Sequence, residues 1–435
     1  MKWLVLLLLL PYVCCSDLPP GPDGGGLRLS LQDVSCTEAW LRLSVSPNTQ
    51  GQAIDLVRDG VRVSQIHLFS SDTMIIDGGL LPRHSYIYQA HRLRSILPIE
   101  STPDVPVITM DTTSHNFTWE TVTLGDGSSS ILYDVAIVND TLAYAVGEIY
   151  LRDSTGQLDP NVYNFVCWNG HQWELLRISF LDFCEQSTTH PYPARAVIAF
   201  STTEILLSSG SQSVWWDGAH QSTPICMPVS VNKFWGESKN SIYGVGYGGS
   251  IAHYNGNTWQ KLESGTALPI WDIWGANDRV TGKETILCVA SNPFSPPVGS
   301  ALLRIQGTSV TELSSTGLSW DLSSLWFAPE RIYYVVGAGV HHKRSLSEPG
   351  WQRYSPGEVT NYASSSVRGN AINDVFVVGS FGEVVHFNGV SWHQYGGIVP
   401  LANGAYSKVA VKGDLVIAVG YTPSQAVILI GRRIS

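Results

Sequence analysis

Lys233-Phe-Trp-Gly-Glu-Ser-Lys-Asn-Ser-Ile-Tyr-Gly-Val-Gly-Tyr-Gly-Gly-Ser-Ile-Ala-His-Tyr-Asn-Gly-Asn-Thr-Trp259 and Ser366-Val-Arg-Gly-Asn-Ala-Ile-Asn-Asp-Val-Phe-Val-Val-Gly-Ser-Phe-Gly-Glu-Val-Val-His-Phe-Asn-Gly-Val-Ser-Trp392 are two copies of one pattern. Each holds three short apolar runs separated by turn residues and closes on Asn-Gly-x-x-Trp. A strand-turn-strand unit recurring at roughly 40 residues is the signature of a β-propeller, one four-stranded blade per repeat.

Seven copies can be laid out. The small pair that ends the second strand falls at Val146-Gly147, Ser209-Gly210, Val245-Gly246, Val289-Ala290, Val336-Gly337, Val378-Gly379 and Val419-Gly420. The turn and Trp that open the outer strand appear at Asn169–Trp173, Asn255–Trp259 and Asn388–Trp392, with degenerate forms at Trp320 and Trp351. Asn-Gly is expected to supply the positive φ of a tight hairpin, and the Trp to pack on the next blade. The last copy stops at Ala426–Arg433 with no outer strand after it. A spare strand with the missing Trp stands before the first copy, at Asn116-Phe-Thr-Trp-Glu-Thr-Val-Thr-Leu124. Pairing the two closes the ring and removes its open edges. The expected fold is all-β: a β-sandwich at 27–113, then a seven-bladed β-propeller at 114–435 closed by an N-terminal strand.

Composition agrees. Of 435 residues only 14% are charged, while Gly (41) and Trp (15) are plentiful, as in an all-β chain rich in turns. The formal net charge of −10, with no basic stripe, argues against nucleic acid as a partner.

Residues 1–16 read as a signal peptide, with Lys2 before an apolar run of roughly 11 residues, too short to span a bilayer. Cys14 and Cys15, followed by a Pro/Gly-rich linker at 17–26, resemble the lipidation site of a bacterial lipoprotein, although Tyr12 and Val13 replace the usual small residues. Five more cysteines follow, an odd number for an exported chain. Cys36, Cys167 and Cys288 lie in strand-like runs and are expected to be buried thiols; Cys184 and Cys226 lie in loop-like stretches and are the candidate disulfide.

From 27 to 113 the chain alternates as strands do. Leu80-Leu-Pro-Arg-His-Ser-Tyr86 resembles the strand E to F corner of a fibronectin type III domain, with Tyr86 as the corner tyrosine. Arg58-Asp-Gly60 fits the turn between the middle strands, and Trp40 is placed as the core Trp. The repeat half resembles bacterial propellers built from degenerate neuraminidase-type repeats, the family that includes photosystem II assembly factors. Its Asn-Gly-x-x-Trp hairpin is similar to the sialidase Asp-box, yet Ser-x-Asp-x-Gly-x-Thr-Trp is not present. The combination of modules resembles a group of bacterial envelope proteins, and that resemblance implies no activity.

Catalytic strings are wanting. Gly244–Gly249 matches G-x-G-x-x-G but sits between two strands with no helix to offer a phosphate. His341-His342 reads as an exposed hairpin rather than a metal site. No cofactor or metal is expected, and a sialidase-like hydrolase has only Arg195, Arg368 and Asp272 in its favour. The candidate ligand residues are those expected to begin the inner strands: Asp134, Arg195, Lys233, Asp272 and Lys408, with Trp235, Trp274, Trp326 and Arg368 two residues on. The competing reading of those Trp residues is packing between blades. Long insertions at 148–163, 180–193 and 291–299 map to one face, where recognition is expected. The functional expectation is an exported, non-catalytic binding or assembly scaffold of the bacterial cell envelope. Its partner is an envelope protein or a glycan, with a membrane reached through the lipid anchor. The alternatives are a carbohydrate-binding protein and a glycoside hydrolase.

Overall fold

The structure is a computed structural model describing residues 26–46, 53–67, 70–94, 97–127, 129–292, 299–396 and 403–434. The signal-peptide stretch, Cys14, Cys15, the linker up to residue 25 and Phe294 lie outside the described residues. The chain divides into two compact units, Met1–Met110 and Asp111–Ser435, so the second begins three residues earlier than expected. Among the described residues all regular structure is β apart from one three-residue 3-10 turn, Tyr247–Gly249.

The first unit holds two sheets. Arg28–Val34, Glu38–Ser44 and Asp72–Gly78 form one, in the spatial order first, second, fifth strand. The other runs Val61–His67, Ala53–Arg58, Ser85–Arg94 and Leu97–Ser101, with Val105–Ile108 also pairing the long Ser85–Arg94 strand. Asp59 (φ 51°) and Gly60 (φ 78°) make the tight turn foreseen at Arg58–Gly60. The Tyr86 hydroxyl accepts the Leu81 N–H at 2.8 Å, tying the chain corner to the strand that follows it. Trp40 corrects the sequence reading. Ala39, Leu41, Leu43 and Val45 enter the core, so Trp40, although 2% exposed, lies on the other face of its strand. Cys36 is buried as expected but sits in a bend between strands.

The second unit contains, among the described residues, seven four-stranded antiparallel sheets. Their first strands are Ile131–Asn139, Ala196–Ala199, Lys233–Ser238, Ile270–Asn277, Leu322–Ala328, Ser364–Ala371 and Ala405–Lys412. Each touches the next in chain order, and the seventh touches the first, which closes a ring. The seventh sheet is completed from the front of the unit: Phe117–Leu124 pairs antiparallel with Ala426–Arg433, Trp119 opposite Gly431. Hydrophobic clusters fill the gaps between neighbouring sheets; one joins Leu132 and Val166 of sheet one to Leu415 and Ile428 of sheet seven.

Local chemistry explains the repeat. In Asn169-Gly170, Asn255-Gly256 and Asn388-Gly389 the Gly alone has positive φ (93°, 93° and 97°). The Asn side chain instead accepts two backbone N–H groups further on, as Asn255 Oδ1 does from Asn257 and Thr258, both at 3.0 Å. Asp217-Gly218 makes the same turn in sheet two, a copy hidden by the missing Trp. Trp173, Trp259 and Trp392 pack in the clusters between sheets. Trp320 does not open an outer strand: sheet four turns at Gly307, and Trp320 is exposed in the loop entering sheet five.

Candidate functional site

A bulge recurs at the start of the inner strands. Register slips between Leu132 and Asp134, Ile270 and Asp272, Leu322 and Ser324, Ser364 and Ser366, and Tyr406 and Lys408. The skipped residues are Tyr133, Trp271, Ser323, Ser365 and Ser407. A bulge re-aims one side chain out of the ladder. All five line one axial cup of about 360 Å³, completed by Arg195, Asn232, Tyr247, Asp321 and Lys408. The small residue of the repeat lies opposite. A Cβ on Gly147 would meet Ile131 O at 2.0 Å, and one on Gly420 would meet Ala405 O at 2.0 Å.

Beneath the cup lies a layer of buried charge. Lys233 Nζ is 2.5 Å from Asp134 Oδ1, whose other oxygen accepts the Val197 N–H at 3.1 Å. Arg368 grips Asp272 with two nitrogens at 2.8 and 2.7 Å, and the Ser324 hydroxyl donates to the same carboxylate. Burial pushes the Asp272 carboxyl up, but Arg368 and Lys408 outweigh it and hold the group well below the usual carboxylate range. Burial likewise pulls the Lys408 ammonium down, to about 8, with Asp272 3.9 Å away holding it up.

The nine sequence candidates therefore do not form one mouth. Only Arg195 and Lys408 line the cup. Asp134 and Asp272 are sealed in the charge layer. Lys233, Trp235, Trp274 and Arg368 line a second axial opening of about 290 Å³ walled by Val135, Ile137, Ile273 and Val411. Trp235 and Trp326 are buried between sheets: a Cβ on Gly275 would meet the Trp235 ring at 2.3 Å, and one on Gly369 the Trp326 ring at 2.9 Å. The missed residues are the bulged ones. Their signal was the Val-Gly pair, which marks where the facing strand presses close.

The cup wall is ordered by contacts among its own residues. The Tyr133 hydroxyl donates to Glu148, whose second oxygen accepts from Tyr150 at 2.7 Å. Burial and then the Glu148 bond push the Tyr133 phenol well above its ordinary range. The Arg195 guanidinium lies 3.9 Å from the Tyr133 ring centroid and makes no ion pair among the described residues. Trp271 Nε1 donates to Ser291 O at 2.9 Å and meets Tyr247 edge-on at 5.6 Å. Burial raises the Asp321 carboxyl, partly offset by a bond from Ser291.

Around the cup the described residues of the second unit include seven exposed large aromatic side chains: Phe183, Tyr192, Tyr247, Trp320, Tyr362, Phe381 and Tyr421. All seven sit in, or at the edge of, the segments that enter the inner strands or join second to third strands, hence on the cup face. The Tyr362 and Phe381 rings lie 4.6 Å apart, and Phe381 holds φ 59°, a conformation bulky residues rarely adopt. Phe183 and Tyr192 ride on a short ribbon, Phe180–Leu181 with Thr189–His190. Cys184 in this ribbon is joined by a disulfide to Cys226, Cα to Cα 6.0 Å. Cys226 belongs to the outer strand of sheet two rather than to a loop. His341 also departs from the sequence reading. It is 1% exposed within Gly339–Lys343.

No protein-family model matches the chain, and no curated protein does. Among solved structures, one described as YCF48 bound to D1 peptide aligns with 74% of this chain and 99% of its own, at 16% identity and TM-score 0.51. The WD40 β-propeller domain of Doa1 aligns with 74% and 99%, at 11% identity and TM-score 0.49. BamB from Moraxella catarrhalis aligns with 73% and 98%, at 13% identity and TM-score 0.33. At such identities a likeness speaks to fold alone, and the fold of the second unit is a β-propeller.

Proposed function

We propose that this chain is an exported, non-catalytic binding or assembly scaffold of the bacterial cell envelope: a fibronectin type III-like module followed by a seven-bladed propeller that grips its partner with the cup face. The observation that carries the reading is the confinement to that face of all seven exposed aromatics among the described residues of the second unit. Tyr and Trp give rigid contact area at low entropic cost, and recognition sites are enriched in them. The two antiparallel sheets of the first unit, one of three strands and one of five, and its tyrosine corner support the module assignment. YCF48, a propeller of similar fold solved with a peptide, offers a precedent for a polypeptide partner.

The non-catalytic reading is supported by the state of Tyr133, whose phenol is held protonated by burial and Glu148. A lipid anchor at Cys14 or Cys15 would tether the protein to a membrane surface; among the described residues no helix is long and apolar enough to cross one. Affinity capture from envelope extracts, run beside a glycan array, tests the reading. Specific protein capture supports a scaffold. Array binding without protein capture moves the function to the carbohydrate-binding class, and turnover of any arrayed glycan overturns the non-catalytic assignment.

A further inference from the structure

The cup has a charge balance that the scaffold role alone does not require. The protein carries a net charge of −10, yet Arg195 and Lys408 both line this cavity, with Asp321 beside them and the Glu148 carboxylate behind the Tyr133 hydroxyl. Lys408 is partly satisfied by Trp271 O at 3.3 Å and by Asp272 at 3.9 Å. Arg195 lies over the Tyr133 ring and makes no ion pair among the described residues. The two cations stand on either side of Tyr133, because the strands beginning at Ala405, Ile131 and Ala196 are consecutive in the ring. An unpaired guanidinium in a half-buried cavity is a ready donor for a planar oxyanion, and charge-assisted bonds are the strong ones.

We infer that the cup is a carboxylate-binding subsite that takes the acid group of a sugar acid, with Arg195 as its principal contact and Lys408 as its second. The inference deepens the proposed function, since it rests on the cup face being the binding face. With Asp321 in the lining and Glu148 behind Tyr133, the two cations suit a monoanion better than a doubly charged phosphomonoester. The remaining lining fits the rest of a sugar acid. Ser323, Ser365 and Ser407 offer a row of hydroxyls that can donate or accept, and Trp271 with Tyr247 supplies an aromatic edge for a C–H face. The cavity lies at the small end of the range for small-molecule sites, the scale of one ring rather than a long chain.

The test is calorimetric titration of the full chain with glucuronate, glucose, inorganic phosphate, and a short acetylated peptide as free acid and as amide. The expected result is glucuronate binding at least about tenfold tighter than glucose or phosphate, reduced about tenfold or more in Arg195→Gln at unchanged melting temperature. Arg195 makes no ion pair among the described residues, and Gln keeps part of its packing on Tyr133, so this variant is expected to keep the fold. Glucose binding as well as glucuronate, or Arg195→Gln binding like the parent, overturns the subsite. Tighter phosphate binding overturns the monoanion assignment, and binding of the peptide acid in place of glucuronate overturns the sugar. Loss of every ligand with partner capture intact leaves the scaffold reading standing, so the two fail separately.

Discussion

Arg368 and Asp272 are joined by two hydrogen bonds of 2.8 and 2.7 Å, although one lies in sheet six and the other in sheet four. The pair spans sheet five, whose Ser324 hydroxyl bonds the same carboxylate. It fixes the spacing of three sheets around the axis from within.

Removing Arg368 leaves the buried Asp272 carboxylate only Lys408 at 3.9 Å, the Ser324 hydroxyl and the Leu325 N–H as partners, and breaking a buried pair costs about 3–5 kcal/mol. Arg368→Met is therefore expected to lower stability by about that amount in denaturant titration. A loss below about 1 kcal/mol would show that water reaches the axis and that the pair is screened.

Ring closure makes a second expectation. Trp119 covers Gly431, and a Cβ there would meet the indole at 2.4 Å. Gly431→Val should destabilise by about 1–3 kcal/mol through overpacking. Deleting residues 425–435 should lower the melting temperature sharply, since it strips the partner from Phe117–Leu124 and reopens an edge. A cooperative transition at the parent temperature after that deletion would contradict closure by this strand.

Acid should weaken the ring through its histidines. Burial, then Arg353, lowers His341 from 6.5 to about 4, with His342 adding to the fall; burial, then His386 and His393, lowers His115 to about 4. The unfolded chain takes up these protons first. The histidine contribution to stability therefore falls as pH drops from about 6.5 to about 4 and is constant below that. His341→Leu removes one such group. The fall in melting temperature between about pH 7 and about pH 5 should be smaller in this variant. An equal fall would exclude His341 from the effect.

Thiol chemistry separates the cysteines. Reduction of Cys184–Cys226 should cost about 2–4 kcal/mol, the usual range for a native bridge. Cys288 is buried and its thiol is pushed well above the ordinary range by burial, while Cys167 is pushed to about 11. Neither should react with a thiol reagent until the protein unfolds. Rapid labelling of Cys288 in the native state would contradict its placement.

The repeat was legible because tight turns and packed Trp residues leave fixed strings, such as Asn388-Gly389-Val390-Ser391-Trp392. The spare strand was legible by elimination, one outer strand lacking and one Trp119 strand left over. Trp40 was misplaced because a core Trp and a Trp on the reverse face of the same strand differ by one position of register. The cup was missed for the same reason. A bulge shifts parity locally, so Trp271 and Ser365 face the cavity where strict alternation points to Asp272 and Ser366. The charge layer looked like a binding ring because sequence shows which residues share a level, not that Arg368 reaches across to Asp272.

The claim that recognition resides on the cup face is tested most directly by one binding comparison. Partner or glycan capture is measured for Tyr362→Ala, Phe381→Gly and Tyr247→Ala, beside Val280→Ala and Val390→Ala, which are exposed on the opposite face. Each aromatic variant is expected to lose about 1–2 kcal/mol of binding at unchanged melting temperature, with Phe381→Gly also relieved of its strained backbone. The valine variants should bind like the parent. Unchanged binding in all three aromatic variants, or loss confined to the valine face or to the first unit, would contradict the account.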